Sequence, residues 1–278
     1  MLPTRRGQRW QMSSRRWRGA VALTVGLVAG LVGSANEATA QPAPTDRIAV
    51  WLDVGWRPAS RTFASTRVFP VFSELGSFQA SYTIEQGGVF AGGVSFRLWR
   101  NLAVGLDASS YRSVNPAQIT AELPHPFFFD LPRTTMGEAG GLERQELGIH
   151  VRALWVIQLT NWLVVSASIG PSLINARQDL VASVQHTEVG FPFDELIFSG
   201  HTVSGQSGLT AGMNSGVDID VFVLDRLPFL NRFAGMKKVG LGLLIRYVRG
   251  SVDMEIGDDL VQVDLGGLQL TTGLRFRF

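Results

Sequence analysis

Eleven ionisable residues fall on one parity of their local segments: Asp53, Arg97, Asp107, Glu146, His150, Arg152, Asp218, Asp220, Arg246, Arg275 and Arg277. The same parity is otherwise rich in Gly, Ser and Ala, while the alternate positions are apolar. If these side chains face one another in a confined space, they must neutralise each other, because a buried charge without a partner is costly. The planar guanidinium fork suits several carboxylate contacts at once, so Arg97, Arg152 and Arg246 are expected to share networks with Asp53, Asp107, Glu146, Asp218 or Asp220. His150, between Glu146 and Arg152, has the chemistry of a proton-transfer group, but its neighbours favour membership of a hydrogen-bonded network.

Two further clusters lie outside this set. Phe127, Phe128 and Phe129, with Phe191, Phe193 and Phe198, would form an apolar patch if exposed, and such patches mark partner or ligand sites. Asp253, Glu255, Asp258 and Asp259 offer oxygen ligands suited to a hard cation, but without the spacing and central glycine of an EF-hand loop. There is no P-loop, no dinucleotide glycine pattern and no H-E-x-x-H. The absence of cysteine excludes disulfides, thiolate metal sites and a cysteine nucleophile.

Positioning these residues requires strands. Phe90, Val94, Phe96 and Leu98 alternate with Ala91, Gly93, Ser95 and Arg97, and the pattern resumes after Arg100-Asn101 with Leu102, Val104, Leu106 and Ala108. Leu147 to Ile157 alternates with Glu146, His150 and Arg152, and a turn at Leu159-Thr160-Asn161 leads to Leu163, Val165, Ala167 and Ile169. With Val50 to Trp56, Leu209 to Val221, Val239 to Tyr247 and Leu268 to Phe278, the count is eight. Long connections are expected at about residues 58–86, 113–144 and 176–204, and a short helix after Pro228. Trp99, Trp155, Trp162, Phe222, Phe276 and Phe278 fall near the opposite turns, where rings suit a headgroup boundary.

Residues 1–40 have a different character. Six arginines precede an uncharged apolar run from Ala20 to Ser34, and Ala38-Thr39-Ala40 offers a cleavage site, the pattern of a secretory signal peptide. Arg15-Arg16 leaves the export route open between general secretion and the twin-arginine pathway. Its removal takes away six of the 25 basic and one of the 23 acidic side chains, leaving 19 and 22. A nucleic-acid partner therefore has no electrostatic support. Domain organisation is read as a cleaved leader, 1–40, and a barrel domain, 41–278.

Thr271-Thr272-Gly273-Leu274-Arg275-Phe276-Arg277-Phe278 resembles the terminal sorting signal of outer-membrane β-barrels, carried by Thr271, Gly273, Phe276 and Phe278. With the alternating strands and unequal connections, the chain resembles small bacterial outer-membrane barrels of the OmpA transmembrane-domain type. The resemblance implies an all-β, antiparallel up-and-down transmembrane barrel of eight strands in a Gram-negative outer membrane. It also implies contact with membrane lipid and lipopolysaccharide, and with the barrel-assembly machinery during biogenesis. The apolar face should meet lipid and the charges should plug a lumen too narrow for an open channel.

The expected role is structural or passive, with no enzyme activity, cofactor or metal. The alternatives are a surface binding protein or adhesin working through aromatic outer loops, a narrow conduit, and a lipid-modifying barrel enzyme. For the last, His201 with Ser204 and His186 with Glu188 supply residue types for acyl transfer, but not the H-x-S spacing of lipid A deacylases.

Overall fold

A computed structural model describes residues 46–222, 237–256 and 259–278. The leader and the helix expected after Pro228 lie outside the described residues. Ten strands form one antiparallel sheet: β1 Ile48–Arg57, β2 Arg61–Val71, β3 Glu74–Ile84, β4 Gly87–Trp99, β5 Leu102–Pro124, β6 Pro132–Gln158, β7 Leu163–Glu188, β8 Leu196–Val221, β9 Lys238–Ile256 and β10 Asp259–Arg277. Eight of them close a ring in the order β1, β4, β5, β6, β7, β8, β9, β10, with β10 paired back onto β1. The ring is the expected eight-stranded up-and-down barrel. The pairing of β2 with β3, and of β3 with the outer part of β5, adds a hairpin to the upper wall.

Three of the expected loops are corrected. The segment 58–86 is largely the β2–β3 hairpin, while 113–144 and 176–204 are mostly the outer ends of β5, β6, β7 and β8. They continue the period-2 pattern, but its polarity is reversed. On β9 the outward face reads Leu241, Leu243, Ile245, Tyr247 and then Arg249, Ser251, Asp253, Glu255, all exposed. Its inward face carries Leu244 and Arg246 and then Val248, Val252 and Met254, all buried. β10 runs the same way: buried Arg277, Arg275, Thr271 and Gln269 give way to buried Leu265, Val263 and Val261. On β5, inward Asp107 and Ser109 are succeeded by Ala117, Ile119, Ala121 and Leu123.

The lower half of the barrel is therefore polar inside and apolar outside; in the upper half the interior is apolar and the exterior mostly polar, with Val68, Met136, Ile197 and Val203 as exposed apolar exceptions. The upper interior is a packed apolar core that includes Phe78, Ile119, Leu142, Ile174, Leu180, Val252 and Leu265, with Phe63 and Phe69 against it. Tyr82 stacks on Phe63 at 4.6 Å between ring centroids, and its hydroxyl accepts the Val181 amide across the barrel at 2.8 Å. Burial pushes this phenol above its ordinary pKa.

Close strand approach explains some glycines in the wall. A Cβ added at Gly170 would lie 1.9 Å from the Val151 carbonyl oxygen, and one at Gly273 1.9 Å from that of Leu52. Gly266 and Gly267 have φ of 80° and 135°, conformations that disfavour other residues. There β10 passes from the apolar upper core to the ionic lumen.

Candidate functional site

The ionic lumen is built in tiers from inward positions of the ring strands. Lowest is Arg275 on β10, whose guanidinium donates to Asp53 on β1, to Asp218 at 3.0 Å and to Asp220 at 2.9 Å, both on β8. Arg277 donates to Asp220 at 3.2 Å and lies over the Phe222 ring at 4.6 Å. In the middle tier one carboxylate, Asp107, serves two arginines. Arg246 Nη1 donates to it, and Arg152 Nε stands 2.7 Å away as an ion pair off hydrogen-bond alignment. Arg246 Nε also donates to Gln269 at 3.1 Å, and Arg152 lies over Trp51 at 4.8 Å. Asp107, Arg152 and Arg246 are essentially inaccessible to solvent.

At the side of this tier His150 bridges two hydroxyls, Nε2 to Ser109 at 2.9 Å and Nδ1 to Ser172 at 2.8 Å, with Asn214 donating to Ser172 at 2.8 Å. The ring is anchored between wall strands rather than presented to a cleft.

The top tier lies where the barrel polarity reverses. Arg57 grips Glu146 with both Nη atoms, at 3.0 and 2.9 Å, and its guanidinium stacks over Tyr111 at 3.6 Å. Arg144 Nε adds a third bond to Glu146 at 2.8 Å, and the Gly266 amide a fourth at 3.1 Å. Arg144 also reaches Gln178 and the Asp264 carbonyl. Every oxygen of this buried carboxylate is thus engaged, and the tier separates the charged lumen from the apolar core above.

The lumen therefore holds Asp53, Asp107, Glu146, His150, Arg152, Asp218, Asp220, Arg246, Arg275 and Arg277. Arg97 is half-buried at the lower rim, in a pocket lined also by Asp46 and Arg277. Arg57, Arg144 and Gln178 were not anticipated from sequence. The parity shared by Arg144, Glu146, His150 and Arg152 is the signal that could have found Arg144.

Thr271 and Gly273 face inward, where Thr271 Oγ1 donates to Asp53 at 3.3 Å. Phe276 and Phe278 are half-buried on the opposite parity, and the Phe278 amide donates to the Ile48 carbonyl at 2.9 Å. Trp99, Trp155 and Trp162 are exposed at the lower end. Phe222, expected beside them, is instead buried under Arg277, because it continues the inward parity of Asp218 and Asp220.

A second constellation stands at the opposite end. Phe127, Phe128 and Phe129 in the β5–β6 turn and Phe191 in the β7–β8 turn are exposed, and Phe193 packs on Phe127 at 5.6 Å. Phe198 does not join them: it lies on the wall against the upper core, stacked on His201. The turns are fastened to each other. His125 Nδ1 accepts the Phe127 and Phe128 amides at 3.1 and 3.2 Å, and its Nε2 lies 3.5 Å from Asp194. Arg133 donates to the Phe193 carbonyl at 2.6 Å, to the Pro124 carbonyl and to Glu188. Glu74, the first residue of β3, accepts the Asp130 amide at 3.1 Å and brings a third tip alongside.

The remaining candidates are scattered. Ser204 Oγ accepts Gln206 Nε2 at 2.9 Å, while His201 stacks on Phe198 and His186 pairs with Phe198 in the β7–β8 register. Asp253 and Glu255 are exposed on the outer face of β9, Asp259 opens β10, and Asp258 lies outside the described residues.

No family model matches the chain, and no curated protein does. Among solved structures it is similar to neisserial surface protein A, at 13% identity over 83% of this chain and 97% of that one, with a TM-score of 0.42. It is also similar to Ail, the attachment invasion locus protein of Yersinia pestis, at 12% identity over 83% and 99%, TM-score 0.30. The outer membrane protease OmpT from Escherichia coli matches at 11% identity over 87% and 99%, TM-score 0.34. The barrel assignment stands on the chain's own closed ring of strands.

Proposed function

We propose that this chain is an integral outer-membrane barrel whose lumen is plugged by its own ion pairs, and that its role is passive and structural: a rigid, non-conducting pedestal. The carrying observation is the Asp107 tier, where Arg152 and Arg246 meet one carboxylate in the middle of an eight-stranded barrel. A lumen of that strand number is filled by side chains. The orientation of the wall supports the membrane setting: Leu52, Phe90, Leu106, Ile149, Ile169, Leu243 and Leu274 point outward and are exposed, the reverse of a soluble ligand-binding barrel. An exported precursor with residues 1–40 as leader, assembly by the barrel-insertion machinery and an annulus of phospholipid and lipopolysaccharide belong to this reading.

The test is electrical. Purified barrel in planar bilayers should give no steady single-channel conductance, and Asp107→Ala should introduce a leak. Steady conductance by the unaltered protein would make it a conduit instead. A second reading, a surface binding protein, is favoured by one observation: the aromatic turns are held to one another by contacts of His125, Arg133 and Glu74 rather than left as independent loops.

A further inference from the structure

The exposed apolar surface at the outer end is larger than the aromatic triplets alone. Phe72 and Leu75 from the β2–β3 tip join Phe127, Phe128, Phe129 and Leu131 from the β5–β6 tip, and Val189 and Phe191 from the β7–β8 tip. The contacts of Glu74 with Asp130, of Arg133 with Phe193 and of His125 with Asp194 tie the three tips into one crown. Phe129 and Phe191 are 76% and 86% exposed, so the crown is open to whatever it meets.

What covers it cannot be the protein's own bilayer. The outward face changes from apolar to charged at Arg112 on β5, and the twelve residues from Ser113 to Pro124 continue outward as strand. At about 3.3 Å per residue that is ~40 Å of chain, or roughly 30 Å of height at the usual barrel tilt. The crown must therefore meet something apposed. Its chemistry narrows the choice. Phe, Leu and Val offer no hydrogen-bonding side chain, and the tips carry none of the Trp, Tyr and Arg in which the energetic hot spots of protein interfaces are enriched. Projecting turn tips have no enclosing wall for a small molecule, but they suit insertion into a fluid apolar phase.

Charge selects the headgroup. The charged side chains standing out from these tips, Asp130, Asp194 and Glu195 with Glu74 beneath, are acidic, while Arg133 is buried against Glu188. An anionic surface would be repelled. Quaternary ammonium groups are attracted both by carboxylates and by aromatic faces. We propose that the crown inserts into an apposed zwitterionic bilayer with choline headgroups, so that the barrel tethers a second membrane. This deepens the surface-binding reading and rests on it.

The experiment is flotation of the full barrel, held in nanodiscs, with phosphatidylcholine vesicles and with vesicles containing phosphatidylglycerol. Co-flotation is expected with the first and weaker by several-fold with the second. Phe129→Ser with Phe191→Ser should lower it about tenfold or more, given the apolar area withdrawn from lipid. Glu195→Lys should shift the preference toward the anionic vesicles. Both variants are at exposed positions, and retained heat-modifiability on gels will show the barrel intact. Equal flotation of the double-serine variant would overturn the proposal, as would a preference of the unaltered crown for anionic lipid. If no vesicle binds but cells expressing the protein adhere to a protein-coated surface in a Phe129-dependent way, the lipid assignment fails and the surface-binding reading survives. If neither occurs, both fail.

Discussion

Asp107→Asn tests the plug at its most loaded point. The substitution keeps the side chain's shape and removes one charge shared by two guanidiniums that are at most 1% exposed. Arg246 then keeps its bond to the neutral Gln269, and Arg152 the face of Trp51. Breaking a buried ion pair from one side costs about 3 to 5 kcal/mol, because the orphan charge stays behind. The loss should approach the upper end here, since two cations would then face each other. A companion change separates this from a shape effect. Arg246→Met in the Asp107→Asn background removes one orphan, and replacing a buried pair by apolar groups is often nearly neutral, so much of the loss should return. The assay is urea unfolding of barrel refolded in lipid vesicles, followed by tryptophan fluorescence, with Trp51 reporting directly on the Arg152 tier. A loss below about 1 kcal/mol, with no recovery in the double variant, would refute the reasoning: the guanidiniums would then be hydrated and the lumen wet.

Three other outcomes follow from the same geometry. Ile149→Arg, on the lower outward face of β6, should cost about 2 to 4 kcal/mol on refolding into bilayers, whereas Gln145→Arg, four residues up the same face, should cost about 0 to 1. Leu180→Ala, fully buried in the upper core, should cost about 2 to 5 kcal/mol and render the outer strands protease-sensitive while the membrane part stays heat-modifiable. Gly170→Ala should prevent assembly of the β6–β7 pair, because its Cβ would stand 1.9 Å from the Val151 oxygen; the measurement is yield of folded barrel by gel shift.

Strand number was legible because the lower wall obeys one rule. Residues such as Leu147, Ile149 and Val151 must meet lipid, and His150 and Arg152 must not, so composition and parity carry the same message. Ten of the eleven charges assigned to the interior on that rule lie in the lumen. Arg97 shares the parity but sits at the lower rim, where inward and outward cease to differ, and parity alone contains no information about depth. Arg57 and Arg144 were missed for the opposite reason: each lies just past the last position where outside means apolar. The fastening of the crown was not legible at all. Glu74 and Asp130 are 56 residues apart, and Arg133 and Phe193 60; only the curvature of the closed sheet brings them together.

The reversal of polarity along single strands accounts for both the success and the misreading. A strand of the length of β6 or β8, 27 or 26 residues, exceeds the 9 to 11 that a tilted strand needs to cross a bilayer. The excess must live in water, where the interior has to be apolar and the exterior polar, so one continuous backbone ladder obeys two solvents in turn. At the junction neither rule can fill the interior, since apolar side chains from above meet charged ones from below. The tier of Arg57, Arg144 and Glu146 resolves this: its carboxylate is fully hydrogen-bonded, its arginine stems and the Tyr111 ring present carbon upward and sideways, and its guanidiniums belong to the charged side. Such a tier stabilises the junction only if it is complete, because each partner's removal would leave buried charge next to a dry apolar core. It therefore couples the membrane and aqueous halves of this barrel through its side chains, and a weakening there should be felt in both.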